Sequence, residues 1–416
     1  MKAVAKLAWR NIWRNRRRTA LTLAAIAFGM WLIAITRGTH HGTFSQMIDT
    51  AVRRSSGHIQ LQEQGYWQHK TLKYAFPISD ADTAFVAGID HVDKVSVKLS
   101  VDALVGSGSE NTTGGTVVGV IPSHEAAMTV LGPAVMVDGE FLSDDDLDGA
   151  VIGRTMARNL HAKVGDELIL FTQGRDGSMA AALLHVRGIF RLGEPELDGY
   201  TVLAHLSTIQ RMLAAEGRAT AIAMTVDDVR NVEAVTRQLH ERFIDGGESN
   251  WEVVTYETLL PGLMQTVAFK DASGILILLV LLVVIVFGIL NTVLMSVMDR
   301  YHELGVLMAI GMKRSEVALM IVFETLYICL TGLAIGDLVG FVVNWFWSKH
   351  PIPLELGEEM MEAYESVGFD PVLISVPDIG EQMLWTAAML VLTCTVILWP
   401  VVTAIRFRPV EAIRQV

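Results

Sequence analysis

Residues Asp299–Glu316 read DRYHELGVLMAIGMKRSE, a charged and partly apolar segment set between two long apolar runs. Leu304, Leu307 and Met308 fall at i, i+3 and i+4, so a helix here has one greasy face and one polar face. Gly311 is positioned to stop that helix, and the cations Lys313 and Arg314 follow it. A short amphipathic helix between two spans needs something to lie against. It either rests on the bilayer surface or docks a partner.

The flanking runs identify the chain as a membrane protein. A bilayer core takes about 20 apolar residues in a helix. Ala272–Met298 is uncharged over 27 residues, and Val317–Ser348 is apolar but for Glu324 and Asp337. Thr19–Thr36 and Gln382–Ile405 are likewise uncharged. The expected fold is therefore four membrane helices with a large α+β extracytoplasmic domain between the first and second. The expected boundaries are a basic arm over 1–18, spans over 19–36, 272–298, 317–348 and 382–405, and the large domain over 37–271. A cytoplasmic segment takes 299–316, an outer loop 349–381 and a tail 406–416. The 27-residue run would extend about 40 Å as a helix, enough for a stalk.

Of 416 residues, 51% are hydrophobic and 19% charged, below the roughly 25% of a soluble protein. Cys329 and Cys394 both fall in apolar runs, which excludes a disulfide framework and reads as two small buried hydrophobes. The net charge of −12 is unevenly spread. Residues 1–18 hold seven Lys/Arg and no acid, whereas residues 37–271 hold 19 Lys/Arg against 31 Asp/Glu. Basic residues mark short cytoplasmic flanks. The arm, with Arg406, Arg408 and Arg414 of the tail, puts both termini in the cytoplasm and the large domain outside, in a bacterial inner membrane. A cleaved signal peptide over 1–36 is the rival, but Ile33–Gly38 offers no small-x-small cleavage site.

In the large domain, Gly57–Gln62, Val95–Val105, Thr116–Ile121, Glu167–Phe171, Leu183–Phe190 and Ile222–Val226 read as strands. Gly106–Gly115 reads as a hairpin tip. Arg154–His161, Leu206–Ala215 and Val229–Phe243 read as helices, and the order allows a subdomain inserted over about 100–205. No nucleophile, base or metal constellation emerges here. His40 and His41 read as a turn at the membrane edge, and Asp144–Asp146 with Asp148 as a solvated turn, since calcium loops space their ligands differently. Asn111-Thr112-Thr113 is a formal glycosylation sequon that reflects turn composition, and His302-Glu303 lacks the second His of a zinc-protease motif. There is no Gly-Lys pair, hence no phosphate-binding loop. Any ATP and Mg would be bound by another subunit, and no cofactor is expected in this chain.

In the third span, Gly332, Gly336 and Gly340 form a small-xxx-small ladder that lets helix backbones approach closely, within or between subunits. Glu324 and Asp337 are costly intramembrane acids and candidate functional residues. For Glu324 an interhelical hydrogen bond is favoured over proton coupling, and Asp337 has no account at this level.

The pattern R-x-x-E-x-G-V-L-x-A-I-G-M-K-R, Arg300 to Arg314, resembles the coupling-helix signature of the FtsX-like permeases, the superfamily of the macrolide exporter MacB and the lipoprotein-releasing permeases LolC and LolE. Leu7–Gly29, Gly57–Gln62, Val151–Leu170 and the closing Arg408–Arg414 agree with the family in order. The resemblance implies that Arg300, His302, Glu303, Leu304, Gly305, Leu307, Ala309, Gly311, Lys313 and Arg314 transmit motion from an ABC ATPase. It implies two ATPase copies and a second permease, identical or paralogous. It also implies a lipoprotein or amphiphilic cargo handled on the outer side, with a periplasmic carrier or adaptor and membrane lipids as further partners. Nothing suggests nucleic acid.

Met1 lies 18 residues before Thr19, which sets the chain apart from exporters with an ATPase fused ahead of the first span. The 33 residues Lys349–Glu381, with four prolines and a Glu-rich stretch around Glu358–Glu365, depart from the short turn of such exporters. That tilts the reading toward lipoprotein release, with peptide or antibiotic efflux as the alternative. A non-transporting regulator of a cell-wall hydrolase or sensor kinase is the third reading.

Overall fold

The structure is a computed structural model that describes all residues except 1, 15, 109–110, 246–249, 355–356, 358–371 and 406–416. The cations Arg406, Arg408 and Arg414, the closing motif and the Glu-rich stretch lie outside the described residues. The chain divides into two compact units, one of 1–44, 266–354 and 372–416, the other of 45–265 with 355–371.

The first unit is helical. In chain order it holds α1 (Lys2–Ile12), α2 (Arg16–Ala51, which runs on past the unit), α3 (Pro261–Asp299), α4 (Tyr301–Ala309), α5 (Arg314–Lys349) and α6 (Ile379–Ile405). Four of these, α2, α3, α5 and α6, are long and apolar enough to cross a membrane. Both α2 and α3 outlast the apolar runs that announced them. His40 and His41 are therefore helical and not a turn, because nothing at Arg37 or Gly38 breaks the ladder of hydrogen bonds.

Lipid tails are as apolar as leucine, so helices in a bilayer associate through close packing and interhelical hydrogen bonds. The glycine ladder supplies the first. A side chain on Gly332 would meet Ile26 at 2.9 Å, one on Gly336 the Ala27 carbonyl oxygen at 2.6 Å, and one on Gly340 Ala34 at 2.5 Å. The ladder thus packs within the chain, α5 against α2. Polar side chains supply the second. Buried Asn344 donates to the Ala34 carbonyl at 2.9 Å and accepts from Ser375 Oγ at 2.9 Å. Asp337 accepts from Thr386 Oγ1 at 2.9 and 3.0 Å and from Gln382 Nε2 at 3.2 Å, tying α5 to α6. This gives Asp337 a structural account.

The second unit is a mixed domain. Its strands are β1 (Ile59–Glu63), β2 (Phe76–Pro77), β3 (Val92–Ser107), β4 (Asn111–Val120), β5 (Met136–Gly139), β6 (Gly149–Gly153), β7 (Glu167–Gln173), β8 (Met179–Phe190), β9 (Thr201–His205), β10 (Arg218–Ala219), β11 (Ala221–Val226) and β12 (Trp251–Thr255). Ten join in the order β12-β1-β11-β3-β4-β9-β6-β8-β5, with β7 pairing both β3 and β8. Strands β3, β4, β9, β6, β8 and β7 therefore close a ring, a solution that leaves those strands no free edge. The 16-residue β3 serves both halves. Its first part pairs with β11 and its second with β4 and β7. Residues 111–205 are nested between β3 and β11 in this topology.

The hairpin tip is shorter than its composition suggested, because Gly106–Ser107 and Asn111–Gly115 belong to paired strands. On β3, Gly106 pairs with Thr112 of β4 on one side and with Ile169 of β7 on the other. Within the domain, Lys98 on β3 pairs with Glu125 of helix Pro122–Met128 at 2.7 Å, both buried, and Ser96 donates to the same carboxylate. Satisfied buried charges of this kind fix the position of a helix on a sheet more than they stabilise it. Gly57, with φ of +72°, makes the turn into β1 where any Cβ would meet the Met224 carbonyl at 2.7 Å.

Replacing Gly336 with Leu should force α5 from α2 and destabilise the bundle by about 1–3 kcal/mol. Gly288→Ala on α3, where a Cβ meets nothing within 4 Å, should be neutral. Thermal unfolding of the detergent-solubilised chain checks both, and equal melting temperatures would refute the packing role.

Buried His58 is driven to about 4 from 6.5, by burial first, against the raising influence of Asp49. The native imidazole is therefore neutral, and its Nδ1 accepts from the Val226 amide. Below pH 6.5 the unfolded chain takes up the proton first, so stability should fall progressively from pH 6.5 toward 4, by at most about 3 kcal/mol. Hydrogen exchange across β1 and β11 should show this slope in the wild type and a flatter one in His58→Gln. Identical slopes would sink the assignment.

Candidate functional site

The helix α4 and its surroundings form a cluster of charged side chains in the first unit. Residues Leu307–Met312 end α4 in a Schellman arrangement. The Met312 amide donates to the Leu307 carbonyl at 3.0 Å and the Gly311 amide to Met308 at 3.2 Å. Gly311 occupies φ of +105°, a conformation that favours glycine. Lys313 and Arg314 then open α5, where the Glu316 side chain accepts from the Lys313 amide.

The greasy side of α4 faces its own bundle. Leu304 and Gly305 are buried, and Leu307 and Met308 pack against the hydrophobic core of the unit. The opposite side carries His302, Val306, Ala309 and Ile310, the last 76% exposed. The apolar face, which the sequence left to either the bilayer surface or a partner, is thus internal, and the outward strip is a different set.

Three cations hold α4 and its junctions. Arg300, at the N-cap of α4, donates to Glu324 of α5 at 2.8 Å and to Glu303 at 3.3 Å. Glu324 is 8% exposed, so its charge is compensated by a partner from the loop. Arg14, just after α1, pairs with Glu303, and Arg18 of α2 bonds Ser296 at 2.8 Å and Asp299 at 3.3 Å. Burial raises the Glu303 carboxyl, but the hydrogen bonds from Arg14 and Arg300 outweigh it and hold the group below its ordinary value. Ala309, Lys313 and Arg314 stand outside this cluster, exposed. Gly332, Gly336 and Gly340 lie further along α5 and take no part. The sequence offered no direct signal for the roles of Arg14 and Arg18, which lie about 280 residues away in the chain.

α1 lies along the same unit. Val4, Ala8 and Ile12 are buried in its core, and Trp9 meets Tyr327 edge to face at 5.5 Å. A second charged group joins α2, α3 and α6. Arg37 pairs with Asp271 at 3.1 Å and with Glu381, which also contacts His41. His41, Asp378 and Glu381 place potential ligand atoms within 4.8 Å of one another. Ion pairing accounts for this group, since Arg37 already meets Glu381 and Asp378 caps α6 through the Glu381 amide at 3.0 Å.

Comparison with known proteins places this architecture. The MacB-like periplasmic core domain family matches residues 19–242, and the FtsX-like permease C-terminal family matches 275–410. The macrolide export ATP-binding/permease protein MacB of Sodalis glossinidius is 23% identical over 415 residues, covering 96% of this chain and 58% of that protein. An uncharacterized ABC transporter permease of Methanocaldococcus jannaschii is 23% identical over 210 residues, half of each chain. The periplasmic region of MacB from Actinobacillus actinomycetemcomitans aligns with 53% of this chain and 98% of its own, at 12% identity and a TM-score of 0.37. The chain spans about half the length of the curated relatives it matches. The two matched families cover the chain from its first long helix to its last, and the protein belongs to the FtsX-like permeases that carry a MacB-like periplasmic core domain.

Proposed function

We propose that this chain is the permease subunit of an ATP-driven envelope transporter, with α4 as the lever on which a separate ATPase subunit acts. The observation that carries this reading is the two-sidedness of α4. One side is fastened to α5 by Arg300–Glu324 and, through Glu303, to Arg14, while the other presents Val306, Ala309 and Ile310 to the outside. A displacement of a helix fastened in this way passes to the spans instead of being absorbed by a loose loop. An exposed apolar strip between charged flanks suits a protein partner. In this reading both termini and α4 are cytoplasmic and the large domain is periplasmic, in a bacterial inner membrane. Two permeases and two ATPase subunits form the assembly, and the ATP and Mg belong to those subunits.

The cargo in this proposal is an amphiphile handled at the outer face. The long stretch between α5 and α6 favours lipoprotein release. The names of the MacB relatives favour macrolide-type efflux, which stands as the second reading. A deletion strain separates them: retention of lipid-anchored proteins in the inner membrane supports release, and increased macrolide sensitivity supports efflux.

Charge reversal at the lever tests the mechanism. Ile310→Asp with Val306→Asp should abolish co-purification of the ATPase subunit while leaving membrane insertion intact. Glu303→Lys or Gly305→Leu should keep the ATPase bound but disconnect hydrolysis from transport by at least tenfold. Wild-type coupling in all of these variants would remove the lever assignment.

A further inference from the structure

One wall of the inserted domain gathers cations that the fold does not use. Arg154 and Arg158 stand on helix Arg154–Leu160, Lys163 follows the left-handed cap at His161, and Arg191 comes directly after β8. All four are exposed and line a single cleft of about 830 Å³. Among the described residues none of them meets a carboxylate at ion-pair distance. The two acids of the cleft are engaged by backbone. Buried Asp198 accepts from the amides of Leu192 at 2.8 Å and Gly193 at 3.2 Å, and Asp138 accepts from the Gly139 amide at 3.0 Å.

Four cations thus face two occupied carboxylates in a region with 31 acids against 19 bases. The gathering is unfavourable by itself. Arg154 and Arg158 are one helical turn apart and repel each other. Guanidinium groups present planar donor forks that match phosphate oxygens. The cleft also has an apolar element, the half-exposed Val137, with the buried Ala157, Ala162 and Ile189 behind it. A purely inorganic anion would leave that part unused.

We propose that this cleft binds a phosphate-bearing amphiphile, with the phosphate on Arg154, Arg158 and Arg191 and the apolar portion over Val137. The proposal is independent of the lever mechanism, because it is read by binding and needs no ATPase.

The test uses the full chain in nanodiscs of neutral phosphatidylcholine, titrated with dioctanoyl phosphatidic acid and, separately, with inorganic phosphate and dioctanoylglycerol. Phosphatidic acid should bind tightest, with an affinity that falls as salt is raised. The double variant Arg154→Gln/Arg158→Gln should bind at least tenfold more weakly, and Val137→Ser should weaken the lipid without weakening phosphate. Arg175→Gln, an exposed cation outside the cleft, should behave as wild type, and unchanged melting temperatures establish that the variants fold. Equal binding by wild type and the double variant, or equal binding of dioctanoylglycerol, would overturn the proposal. Inorganic phosphate binding as tightly as the lipid would overturn its amphiphile part.

Discussion

The approach of α5 to α2 sets the terms for the rest of the first unit. Where Gly332, Gly336 and Gly340 face α2, the neighbouring atoms stand where side chains would otherwise be. Dispersion between closely packed backbones therefore replaces the hydrophobic effect, which lipid does not provide. Close approach also shortens the reach that polar groups need. Asn344 can meet a main-chain carbonyl of α2 only because the helices nearly touch. Asp337 and Glu324 are then satisfied from other directions, by α6 and by the α3–α4 junction. One helix thus serves as the hub, and Asn344, Asp337 and Glu324 each fasten a different neighbour.

This arrangement has a mechanical consequence. Removing Arg300 would leave the Glu324 carboxylate buried without a counter-charge, a situation that costs about 3–5 kcal/mol. A contact that costly to break ties α4 firmly to α5. The exposed pair Arg14–Glu303 is worth far less, at most about 1 kcal/mol. It can therefore exchange without endangering the fold. The junction combines one firm link with one that yields, which suits the lever role proposed for α4.

How much of this was legible depends on the range of the determining interaction. The four spans follow from local hydropathy, and the end of α4 from Gly311, whose φ of +105° is a local demand. Strands β1, β7 and β11 announced themselves through alternation or β-branched content. By contrast β6, Gly149–Gly153, is buried throughout and shows no alternation. It pairs in parallel with β8, a relation that no local pattern encodes. The partners of Asp337 and Glu324 lie 49 and 24 residues away, so their acids could be flagged as costly but not explained. The supposed turn at His40–His41 failed because histidine is nearly neutral toward helix, and the missing apolar signal was mistaken for a missing helix. What the apolar face of α4 meets stayed open for a related reason. Periodicity tells which residues share a face but not what that face meets.

That ambiguity bears on the lever role proposed for α4. A helix with a single apolar face must choose between its own bundle and a partner. Here Leu304, Leu307 and Met308 answer the first need and are no longer available for the second. Val306 and Ile310 fall at i and i+4 on the other side, beside exposed Ala309. With the two strips separate, docking of the proposed partner would not require α4 to peel from the spans. Exposure of Ile310 at 76% is then the cost of keeping the two strips apart, and it falls at the C-terminal end of α4, where the Schellman turn fixes its position most firmly.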